Sequence, residues 1–204
     1  MSDLIILVAD KDTEQLLEGL LIRIPQTELT RSFDYKILKH PQRDGGVRTD
    51  AVDFLRTFMS DVQKLLIVFD YEGCGENQLN AVELEQKIEN DLVANGWTAA
   101  NICICVINPE LENWVWISEN AMNKHLDLDW KETETIKEWL ALQNFTYHIN
   151  HKPIKPKEAF QKLLEQQNIT WSASLFKKLA KSSYKNCQDP TFLKMLDCLK
   201  LWFS

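Results

Sequence analysis

The chain has 204 residues, 45% hydrophobic and 26% charged, with a formal net charge of −7. This is ordinary globular usage, and it excludes collagen-like, low-complexity and disulfide-framed miniproteins. A chain of this length buries roughly 70% of the surface its unfolded form exposes, so folding requires neither disulfides nor a structural metal.

Leu4 to Ala9 is a continuous apolar run closed by Asp10-Lys11-Asp12, which predicts a strand buried on both faces. A helix follows, with Asp12 as its N-cap, Gln15 as the reciprocal partner of a capping box, and Leu16, Leu17, Leu20 and Leu21 as its apolar stripe. Phe33 to Leu38 predicts a weaker strand, ended by the loop from His40 to Gly46. The next helix carries Ala51, Val52, Phe54, Leu55, Phe58 and Met59. Leu65 to Phe69 is a strongly apolar strand that ends at Asp70-Tyr71-Glu72-Gly73-Cys74-Gly75. Helical periodicity from about Leu79 to Val93 leads to Gly96 as a C-cap. Ile102 to Ile107 is the last strand, ended by Asn108-Pro109-Glu110. From Leu111 the chain reads as helical almost to its end, with one interruption between Asn144 and Pro156 that contains His148, His151 and Pro153.

Strands alternating with helices predict an α/β fold with a mainly parallel sheet flanked by helices. In such a sheet the carboxyl ends of the strands share one edge, where ligands bind. That edge collects Asp10 and Asp12, Asp70 and Glu72, and Glu110 and Glu112. Carboxylates held close together raise one another's pKa or recruit a cation, and a hard ion such as Mg2+ or Mn2+ suits oxygen ligands on loops that share it with phosphate. The pattern makes Asp70, Glu72, Glu110 and Glu112 candidate metal ligands, and Asp10, Asp12, Asp70 and Glu72 candidate catalytic acids for phosphoryl transfer. His40, Arg43, Lys152, Lys155 and Lys157 are candidate phosphate contacts. The competing explanation is local, since acids after strands also cap helices; Asp12 fits it, as does Glu110 behind Pro109. The Asp70-x-Glu72 pair resists it, because no helical run follows until about Leu79.

Charge is unevenly spread. Residues 1–143 hold 13 basic and 26 acidic residues, whereas 144–186 hold eight lysines against Glu158 and Glu165. The break and the charge shift divide the chain into an α/β domain, 1–143, and a C-terminal helical region, 144–204, packed on it. The basic part could meet a phosphate backbone while the acidic part does chemistry. No apolar run nears the roughly 20 residues of a membrane span. Met1-Ser2-Asp3 lacks the basic opening of a secretion signal, and five cysteines without CxxC or zinc spacing suit a reducing compartment. The expectation is a cytoplasmic protein with no membrane partner. Gly73-Cys74-Gly75 lacks the GK[ST] of a phosphate loop. Of Trp114 and Trp116, which would point to different faces of a helix, at least one is expected to pack against the sheet, with base stacking as the lesser alternative.

A buried strand ending in acid, a helix, and a later strand ending in acid-x-acid before glycine resemble the Toprim domain of primases, topoisomerases and overcoming-lysogenization-defect nucleases. The runs 7–12, 40–44, 68–75, 108–116, 152–159 and 189–194 are similar to the small Toprim-like proteins of bacterial methylation-associated defence loci, over nearly the whole chain. Asp10-Lys11-Asp12 stands where that family usually has glutamate then glycine, and Asp70-x-Glu72 where it has Asp-x-Asp. The resemblance implies Mg2+- or Mn2+-dependent nucleic-acid binding in anti-phage defence, alongside other proteins of the defence system, with phosphodiester cleavage as its further expectation. The alternatives are an inactive scaffold within a defence complex and an acidic mimic of DNA phosphate.

Overall fold

The computed structural model describes residues 2–27, 29, 31–116, 119–126, 128, 135–148, 152–181, 184 and 187–204. Four strands, β1 (Ser2–Val8), β2 (Tyr35–Lys39), β3 (Val62–Asp70) and β4 (Ile102–Ile107), form one sheet in the order β2-β1-β3-β4. All three pairings are parallel; Ile6 lies opposite Ile37 on one side and Leu66 on the other, and Leu66 opposite Cys103. Helices α1 (Lys11–Thr27), α2 (Arg43–Leu55) and α3 (Ala81–Ala94) connect the strands. The α/β expectation and its four strands hold within two or three residues at each end.

The pleat sorts the strand residues into two cores. Leu4, Ile6, Val8, Leu66, Val68, Cys103, Cys105 and Ile107 pack with α1 and the helices that follow β4. Ile5, Leu7, Leu65, Ile67, Phe69, Ile104 and Val106 pack with α2 and α3. Burial on both faces explains why these strands read as unbroken apolar runs and not as alternating ones. At the β4 edge the Val106 N–H donates to Glu85 Oε1 on α3 at 2.8 Å, so that donor is not offered to another chain.

The chain after β4 is less continuous than its periodicity suggests. It forms α4 (Glu119–Leu126), α5 (Ile136–Leu142), α6 (Pro156–Gln166), α7 (Ala173–Leu179) and α8 (Pro190–Phe203). Asn144 and Asn168 take positive φ just past α5 and α6, a conformation asparagine tolerates and which stops a helix. Proline opens α6 and α8, where its missing N–H costs nothing. The interruption after Asn144 folds back on itself, with Tyr147 bridging Pro153 in antiparallel fashion; His151 lies outside the described residues. None of the helices among the described residues is long and apolar enough to cross a membrane.

The region after 144 shares the first core. Phe160, Phe176, Met195 and Phe203 belong to the same buried cluster as β1 and α1. Trp202 Nε1 also donates to the Ala100 carbonyl before β4 at 2.9 Å.

Candidate metal centre

The site forms at the carboxyl edge of the sheet from residues that end β3 and follow β4, beside the gap between the neighbours β1 and β3. From β1 the chain runs out to β2, and from β3 it runs the other way to β4, so the two connections diverge and leave a crevice. Asp70 ends β3, and the pleat places it on the face of Leu66 and Val68. Its N–H donates to Asp44 Oδ1 at 2.9 Å, which ties the end of β3 to the first turn of α2. Glu110 and Glu112 flank the start of a 3-10 turn, Leu111–Trp114, that follows β4. That turn is braced by Asp189: Trp114 Nε1 donates to Oδ1 at 3.0 Å and Asn113 Nδ2 to Oδ2 at 2.6 Å.

Asp70, Glu110 and Glu112 each bring a carboxylate oxygen within 4.8 Å of the other two. Among the described residues no other group of three or more His, Cys, Asp or Glu side chains comes this close. Asp70 Oδ1 and Glu112 Oε2 are buried without a hydrogen-bond partner. Burial, followed by the charges of Asp44 and Glu112, pushes the Asp70 carboxyl well above its ordinary range, and the Leu111 N–H offsets only part of this. Glu112, 3% exposed, is raised by burial to about 7. Burial also raises Glu110 and Asp44. Three carboxyls this close and this dry are stable either as acids holding protons or as carboxylates around a cation. An all-oxygen donor set with unpartnered oxygens fits a hard divalent ion.

The other residues that the sequence singles out have varied placements. Asp10 turns its carboxylate onto α1, where Oδ1 accepts from the Thr13 N–H and hydroxyl, both at 2.9 Å. It therefore takes the capping place expected of Asp12, although its charge still bears on Asp12, Asp44 and Asp70. Asp12 instead accepts Trp171 Nε1–H at 2.9 Å, and Gln15 turns to Glu18. Burial raises the Asp12 carboxyl, and the indole N–H opposes that rise.

Glu72 stays out of the triad. The Cys74 N–H bonds the Tyr71 carbonyl at 3.3 Å and Gly73 has φ 89°, so the chain is already in a tight turn. Glu72 occupies its first central position and is exposed. Glu110 stands at the N-cap of its 3-10 turn but makes no capping bond; it accepts from Lys157 Nζ at 3.2 Å.

Of the basic candidates, Lys157 and Arg43 flank the acids, and Arg43 bears on Asp12. Lys155 is exposed beside Glu158 at 3.9 Å. Lys152 is buried and donates to the Asn113 carbonyl at 2.7 Å and to Asp189 Oδ2 at 3.3 Å. His40 is buried beneath α2, with its ring against Phe54 and Gly46 and its Nε2 3.5 Å from Asp50.

Two residues that matter here are absent from the sequence-derived set. Asp44 follows from the approach of α2 to β3, which no local pattern reports. Asp189 carried a signal, since Asp-Pro is a helix-opening pair, but its reach to Trp114 and Lys152 is tertiary. No protein-family model matches the chain, nor does any curated protein or solved structure.

Proposed function

We propose that Asp70, Glu110 and Glu112 bind one divalent cation, Mg2+ or Mn2+, and that the protein uses it to hold the phosphate backbone of a nucleic acid. In this reading it works in the cytoplasm with other proteins of an anti-phage defence system, as the resemblance to Toprim-like proteins implies. The observation that carries the metal site is the pair of buried oxygens, Asp70 Oδ1 and Glu112 Oε2, left without partners inside a carboxylate triad. A buried carboxylate without partners is costly, and a site that retains two of them has a use for them.

A bound ion would supply charge neutralisation to the triad and an electrophilic contact for a phosphate oxygen. Asp44 holds the backbone of Asp70 in place, and Asp189 holds the turn that carries Glu112. Arg43 and Lys157 stand ready for the anion; Lys152 and His40, both buried, are committed to the protein's own packing. An acidic mimic of DNA calls for outward carboxylates, which Glu112 at 3% exposure does not provide.

Calorimetric titration of Mn2+ into the protein and into Asp70→Asn, Glu112→Gln tests the reading. Binding by the parent, with at least a hundredfold loss in the variant, is expected; equal binding refutes it. A cleavage assay on single- and double-stranded DNA and RNA then separates turnover from binding. One observation favours an adaptor that binds the ion without cleaving: only one acid of Asp70-x-Glu72 joins the triad. Cleavage that vanishes in the same variant would exclude that second reading.

A further inference from the structure

The acidic cluster carries a cation of its own. Lys157 is the second residue of α6, and the carbonyl of the first, Pro156, accepts Trp116 Nε1–H at 2.9 Å. Trp116 lies just beyond the turn that bears Glu110 and Glu112, so the lysine is anchored to the same stretch of chain as two of the three carboxylates. Its Nζ lies 3.2 Å from Glu110 Oε2, and its charge also bears on Asp12, Asp44, Asp70 and Glu112. The two partners differ in their access to water: the Glu110 side chain is 7% exposed and that of Lys157 52%. The ammonium enters the cluster from solvent, and it can leave the same way.

Building on the metal reading above, we propose that Lys157 is a tethered counter-ion, which occupies Glu110 in the metal-free protein and is displaced when a divalent cation enters. The ammonium on Glu110 Oε2 competes with a divalent ion for the charge of that carboxylate, and the two cations repel one another. A half-exposed ion pair is weak enough to be broken by a competing ion. Lys157 therefore keeps the site assembled when empty and lowers its affinity when filling, so that occupancy follows the supply of cation. Once displaced, the ammonium stands at the mouth of the site, where an anionic ligand of the cation would meet it.

Mn2+ titrations of the parent, Lys157→Gln and Lys157→Arg measure the effect. Removing one positive charge about 6 Å from a divalent ion strengthens binding about tenfold even at the dielectric constant of water. K157Q is expected to bind about tenfold tighter, and K157R like the parent. The parent also gives a readout without mutation: Mg2+ should speed acylation of Lys157 by an amine-reactive ester, followed by mass spectrometry. If K157Q binds no tighter, or labelling does not change with Mg2+, while Asp70→Asn, Glu112→Gln loses Mn2+, the counter-ion role falls and the metal site stands. If the parent itself binds no Mn2+, both fall.

Discussion

Glu112 sets the pH behaviour of the metal-free protein. Its carboxyl is held at about 7, against about 4.5 when unfolded, and burial is the largest cause. Between these values the folded state binds the proton and the unfolded state does not, so stability is greatest below pH 4.5 on this account and is lost as pH rises through 7. Asp70, raised by burial and by Asp44, acts in the same direction, while the charge of Lys157 opposes both by favouring ionised carboxyls. Urea denaturation in a chelator should show a loss of roughly 3 kcal/mol between pH 5 and pH 7.5. Glu112→Gln should flatten that slope and leave the metal-free protein more stable at pH 7.5; a variant less stable than the parent would contradict it. That six acids gather at one sheet edge was legible from strand order alone. Which of them face inward was not, since Glu72 and Asp10 were turned aside by a tight turn and a helix cap.

Asp189 joins three elements. It caps α8 through the N–H groups of Thr191 and Phe192, both at 3.1 Å, receives Trp114 and Asn113 from the turn after β4, and pairs with the buried Lys152. Asp189→Ala removes the cap and the carboxylate partner of the buried Lys152, and is expected to cost about 3 kcal/mol by chemical denaturation. Mn2+ affinity should fall with it, because the turn that carries Glu112 loses its brace; unchanged affinity would show that the turn holds itself. Helix starts and stops are partly local, and Pro156, Pro190 and Asn80 mark three of them, the last in a full capping box with Glu83. The exchange of roles between Asp10 and Asp12 depends on Trp171, 159 residues away, which no short window contains.

At the scale of the molecule, the shift in charge and the break near Asn144 mark a boundary in composition that does not divide the core. Phe33 stacks on Phe203 with ring centroids 4.0 Å apart, Arg23 on α1 donates to the Lys181 carbonyl, and Leu16, Leu20, Phe176 and Leu199 lie in one buried cluster. A chain ending at residue 143 would keep α1 on that face of the sheet but expose to water the apolar surface that α6, α7 and α8 cover. It is expected to lose cooperative thermal unfolding and amide dispersion; a sharp transition in that fragment would show the first part to be self-sufficient. The amino-acid order alone determined the parallel α/β sheet, because strands buried on both faces must be apolar throughout, and apolar runs alternating with amphipathic helices have few ways to pack. Only the tertiary structure decided which carboxylates meet, which lysine reaches them and which are spent elsewhere, because those distances depend on side chains from opposite ends of the chain sharing one dry crevice.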